Sequence, residues 1–137
     1  MINWLNIEQF MERYTMFFEE MVEAEKLKLI ILLSNDLRAI EENILVQQVN
    51  AKRIENMENR RITLFNALGY KNLSLKEIIE SNIEGQYELS LSYNRIDKAI
   101  NQIKHFNKKS LELIRFNLSL SENKVSQVNE YDMKGVR

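Results

Sequence analysis

The stretch "WLNIEQFMERYTMFFEEM", residues 4–21, decides the fold class. Its large apolar side chains Trp4, Ile7, Met11, Tyr14, Phe18 and Met21 fall alternately three and four residues apart. That spacing puts them on one face of an α-helix, in the pattern of one helix packing along another. A strand would need apolar residues at every second position, and β-branched alternation over four or more residues appears nowhere in the chain.

From Met21 onward the stripe drifts through Val22 and Leu29 to Leu33, as a 3.6-residue helix drifts against a 3.5-residue repeat. At "SND" (34–36) the pattern resets on residues that favour helix N-caps, so the first helix is expected to end near Leu33. A second helix then carries Leu37, Ile40, Ile44, Ala51, Ile54, Met57, Leu64, Phe65 and Leu68 inward. Gly69 stands where a left-handed residue would end it. "SLKE" (74–77) matches a capping box opening a short helix through Ile78 and Ile79. A last long helix is expected from about Gln86 to Ser121. Periodicity fades after it, which divides the chain into a helical domain over 1–128 and a flexible tail over 129–137. The fold class expected is all-α: an elongated antiparallel bundle of three long helices plus one short one, running up-down-up.

Composition agrees. The 137 residues include three Gly and no Pro, 45% are apolar and 28% charged, which suits one helical domain and excludes wholesale disorder. A net charge of −1 gives no electrostatic case for nucleic acid or an anionic membrane. The longest apolar run, "LIILL" (29–33), falls far short of the roughly 20 residues that span a bilayer. There is no cysteine, and "MINWLNIEQF" lacks the features of a secretory signal, so a cytoplasmic location is expected.

Catalysis finds no support. The single histidine, His105, has no Glu three residues before it, so the Glu-x-x-His pairs of di-iron bundles are missing. Glu19, Glu20 and Glu23 read as a solvated helix face, and no Gly-rich loop precedes a helix to cradle phosphate. No enzyme activity, cofactor or metal is expected.

The inward positions of the last helix are the unusual feature. Ile96, Ala99, Ile103 and Phe106 are followed by Ser110, Leu113, Asn117 and Leu120, so two polar residues stand where hydrocarbon is wanted. The second helix likewise carries Gln47, Asn50 and Arg61 near inward positions. Buried without partners, each would cost about 1–3 kcal/mol. Either they set helix register, as a buried Asn does in coiled coils, or the surface is shallow and shared with a partner.

Three stretches carry a family resemblance. They are "EAEKLKLIILLSNDLRAIEENILVQQVNAKRIENMENRR" with its closing Glu58-x-x-Arg61, "SLKEII", and "FNKKSLELI" followed by the tail motif "YDMKG". In this order and spacing the chain resembles FlgN-type flagellar export chaperones over nearly its whole length. Of the Asn-x-x-Asn-x-x-Leu-Ile pattern associated with the last helix, Asn107, Leu113 and Ile114 match, and Ser110 replaces the second Asn. The resemblance implies a non-enzymatic cytoplasmic chaperone. It would bind the C-terminal region of hook-filament junction proteins of the FlgK and FlgL type, prevent their premature assembly and deliver them to the flagellar type III export gate. The partner contact is then expected from Ile96, Ile100, Ile103, Phe106, Asn107, Ser110, Leu113, Ile114, Asn117 and Leu120, and the gate contact from Tyr131. The alternative is a coiled-coil adaptor of a secretion apparatus that associates with itself. Association of the free form with further copies is compatible with either reading.

Overall fold

The structure, a computed structural model, describes residues 4–71, 73–81 and 86–121. They form α1 (Trp4–Leu33), α2 (Leu37–Ala67), the short α3 (Leu75–Glu80) and α4 (Gln86–Ser121), with no strand among the described residues. The expected tail, Tyr131 with it, lies outside the described residues, as do the side chains of Trp4 and Leu120.

The helix ends follow from local chemistry. α1 stops where Asn35 turns left-handed, at φ 56°. Asp36 then caps α2, its side chain accepting from the Ala39 N–H at 3.2 Å. α2 closes in a Schellman motif: Tyr70 N–H donates to the Phe65 carbonyl at 3.0 Å and Gly69 N–H to that of Asn66 at 3.1 Å. Gly69 sits at φ 91°, where a side chain would be strained, and the Tyr70 and Phe65 rings pack edge to face over the turn. Ser74 and Glu77 complete the capping box of α3.

α1 is the spine. It packs against both α2 and α4, and α3 packs on α4. Cross-helix pairs fix the directions. Tyr14 meets Glu58 and Glu20 meets Arg53, so α2 runs antiparallel to α1. Glu19 meets Arg95 and Lys28 meets Asn107, so α4 runs parallel to α1. No Cα of α2 comes within 8 Å of one in α4. With Cα atoms on a cylinder of about 2.3 Å radius, those two axes must lie more than roughly 12 Å apart, beyond the usual ~8–10 Å of packed helices.

The expected face of α1 is the core. Ile7, Met11, Tyr14, Phe18 and Met21 are buried, joined by Ile54 and Phe65 from α2, Leu75 and Ile78 from α3, and Leu89, Ile96, Ala99, Ile100 and Ile103 from α4. Tyr14 and Phe18 meet edge to face at 5.0 Å. The Tyr14 hydroxyl, buried with them, donates to Glu58 at 2.9 Å, and Glu58 also takes the Arg61 guanidinium one turn on. Burial, with the Glu58 charge beside it, pushes the Tyr14 hydroxyl far above its ordinary value, so it stays a neutral donor. Arg61, buried but paired, is thus a satisfied polar residue of the core.

Three inward assignments need correction. Asn117 is exposed, because α4 there has passed the end of α1. Leu33 and Leu37 flank the interhelical turn and are 60% and 69% exposed, because the chain reverses there and no helix lies across from them.

Urea unfolding checks this packing. Phe18→Ala should lose about 3–5 kcal/mol, whereas Phe116→Ala, at an exposed site, should change stability by under about 0.5 kcal/mol. Gly69→Ala should cost about 1 kcal/mol from backbone strain alone, since a Cβ there meets nothing within 4 Å.

Candidate partner-binding surface

The half of the molecule nearest the α1–α2 turn is built differently from the half just described. On α2 the inner face from Ile54 to Phe65 is largely apolar, but one turn toward the tip it becomes Asn50, then Gln47 and Asn43, all buried. Opposite them α1 presents Glu25 and Lys28, which pair at 2.8 Å and are 1% and 5% exposed. Lys28 Nζ also donates to Asn107 Oδ1 of α4 at 2.7 Å. Gln47 donates to Asn43 at 2.6 Å. The layer is incompletely satisfied: among the described residues, Gln47 Oε1 and Ser110 Oγ are buried with no hydrogen-bond partner.

Burial raises the Glu25 carboxyl above its ordinary value, and the Lys28 charge beside it offsets only part of that rise. A carboxyl whose value is raised by folding binds its proton more tightly in the native state. Its destabilising effect is therefore complete above the raised value and gone below the ordinary one.

The residues expected to meet a partner divide into three groups. Ile96, Ile100 and Ile103 are at most 2% exposed and form the α4 side of the chain's own core, so they hold α4 on α1 and are not open to a partner in this fold. Phe106 and Asn107 are half-buried at the polar layer, Phe106 with Lys26 over its ring at 5.7 Å, and Ser110 lies inside that layer. Leu113 and Ile114 are half-buried and Asn117 is exposed.

This last group stands on a free end. Lys28 faces Asn107, so the end of α1 at Leu33 comes level with about residue 112 of α4. α4 continues to Ser121, about nine residues or ~13 Å past the turn. Along that extension Ile114, Leu118 and, on the far side, the 59%-exposed Phe116 make an amphipathic end. The sequence reading missed Phe116 and Leu118, as well as an outward apolar patch on α2 formed by Leu45, Val46 and Val49. The patch was there to be found, because these three recur at helical spacing on the face opposite Asn43, Gln47 and Asn50.

His105 is exposed, and Glu19, Glu20 and Glu23 pair with Arg95, Arg53 and Lys26. Among the described residues no group of three His, Cys, Asp or Glu could hold a metal, and no helix is long and apolar enough to cross a membrane. Compared with protein-family models, with curated proteins and with solved structures, the chain matches none.

The buried pair gives a test of how this half is held together. Lys28→Met alone should cost about 3 kcal/mol near pH 7, because it strands a buried carboxylate. Glu25→Leu combined with Lys28→Met should lie within about 1 kcal/mol of the parent or above it. The cost of the single change should shrink as the pH falls, because burial raises the Glu25 carboxyl and it takes up its proton before an ordinary carboxyl would. Urea titrations at about pH 7 and pH 5 read all of this.

Proposed function

We propose that the chain is a non-enzymatic export chaperone that holds an amphipathic helix of its cargo against the free end of α4. The observation that carries the reading is the overrun of α4 past the α1–α2 turn. There, Leu118 carries past the turn the apolar face of Leu113 and Ile114, which stand half-buried at the level of the turn itself. A cargo helix laid along it would extend the bundle by the helix-in-groove mode.

The polar layer next to that end suits reversible capture. An all-hydrocarbon seam would hold any amphipathic helix indiscriminately, whereas Asn107, Ser110 and Gln47 favour a cargo with matching polar groups and weaken the rest. Ser110 Oγ and Gln47 Oε1, buried without partners, are suited to hydrogen bonding with such groups if the layer opens. Together with the resemblance to FlgN-type chaperones, this supports the C-terminal helices of FlgK- and FlgL-type junction proteins as cargo, a cytoplasmic site of action and delivery to the flagellar export gate. Tyr131, in the segment outside the described residues, is the residue proposed for the gate.

Calorimetric titration with C-terminal peptides of FlgK- and FlgL-type proteins from the same organism tests the reading. Saturable one-to-one binding is expected, and Ile114→Asp should weaken it at least about tenfold with helicity unchanged. No binding at tens of micromolar would overturn it. In a separate pull-down on the export gate, Tyr131→Ala should lower gate binding and leave cargo affinity as it was. Unchanged gate binding would remove that role.

The alternative of a self-associating coiled-coil adaptor draws on a different face, the outward side of α2.

A further inference from the structure

In its first half, α2 divides its apolar side chains between two faces. Between Leu37 and Asn50 the fully buried residues are the amides Asn43, Gln47 and Asn50, with Ile40 and Ile44 half-buried beside them, while Leu45, Val46 and Val49 face solvent at 63%, 50% and 60% exposure. A helix that buries amides and shows aliphatics has its better packing surface on the outside. The rest of α2 fixes this phase: Ile54, Arg61 and Phe65 lie on the same face as the amides and are locked into the core.

The outward face has its own order. Glu42, Leu45, Val49 and Lys52 follow at spacings of three, four and three, which is a coiled-coil seam. The seam is also antisymmetric in charge, with an acid at one end, a base at the other and two aliphatics between. Laid antiparallel on a second copy about a two-fold axis over Gln47, it sets Leu45 against the partner's Val49 and Glu42 against the partner's Lys52. The axis then generates the same contacts in reverse. A heterologous helix would need no such inversion; pairing of identical helices does.

The charges are available for this. Glu42 and Lys52 are exposed and make only long intrahelical pairs, Arg38–Glu42 and Lys52–Glu55, each at 3.4 Å. Such pairs contribute little. The register that joins Glu20 to Arg53 brings Leu27 of α1, itself 52% exposed, level with Leu45 and Val46. Four aliphatics, each at least half exposed, thus stand at neighbouring levels of α1 and α2 with opposite charges at the two ends of the seam.

We propose that this face of α2 is an isologous dimer interface, in which two copies pair α2 antiparallel through Leu45 and Val49 with Glu42–Lys52 pairs at both ends. It lies on α2, apart from the α4 end assigned to cargo, and does not depend on the chaperone reading.

Sedimentation velocity on the full chain from about 1 to 100 µM tests it, with circular dichroism to confirm that each variant keeps its helices. A reversible dimer is expected. Leu45→Glu with Val49→Glu, both at exposed sites, should raise its dissociation constant about a hundredfold. Glu42→Lys alone and Lys52→Glu alone should each weaken it about tenfold, and the two together should restore it. A parent chain that stays monomeric at 100 µM would overturn the proposal. So would a dimer indifferent to Leu45→Glu/Val49→Glu, or a monomer whose cargo binding those changes abolish. Failure of restoration by the double swap would overturn the antiparallel register.

Discussion

Tyr14, Phe18 and Met21 carry a constraint that the other helices answer to, because α1 is the long helix that both α2 and α4 touch. α2 and α4 stay more than about a helix diameter apart, so neither can replace α1 as the other's support. The large aromatic side chains of α1 fill the space between them. This also explains why a buried Tyr hydroxyl is tolerated there: Glu58 accepts its hydrogen bond, Arg61 neutralises Glu58, and the core takes in one complete polar unit.

The same support changes character along its length. Toward the base, α1 offers hydrocarbon and receives it; toward the turn, it offers Glu25 and Lys28 and receives Asn107 with Asn43, Gln47 and Asn50 nearby. A polar layer of this kind adds little net stability but penalises misregistered packing, since every shifted helix would strand a charge. The two surfaces argued to be functional, the α4 extension and the outer face of α2, both belong to this less tightly closed half. Binding surfaces drawn from the less stable part of a fold are a general expectation.

Much of the fold was readable in the residues themselves. The stripe from Ile7 to Met21, the reset at Ser34-Asn35-Asp36, Gly69 as terminator and the Ser74–Glu77 box are local signals, set by periodicity and capping, and the structure repeats each of them. The phase of α2 near its start was readable in part: Gln47 and Asn50 were expected near inward positions and are buried, with Ile40 and Ile44 half-buried beside them, but the outward apolar face of Leu45, Val46 and Val49 was not seen. Either face of residues 37–50 satisfies a helical period, and the choice is made some ten to twenty residues away, where Ile54 and Phe65 lock the rigid helix. Ile96, Ile100 and Ile103 show the same limit from the other side. An apolar helix face seen in sequence carries no mark of whether its own chain or another will cover it.

The order of these contacts along the chain matters while it is being made. The pairs joining α1 to α2 span 33 and 44 residues, whereas those joining α1 to α4 span 76 and 79. The helix that gives α1 most of its apolar cover is thus the last to leave the ribosome. At about 5–20 residues per second, the face bearing Tyr14 and Phe18 waits roughly 4 to 15 s for it. In the interval α1 has only α2 beside it, and much of its apolar face has no cover within the chain until α4 is made. The contacts that close this face are thus the most non-local of those joining α1 to its neighbours.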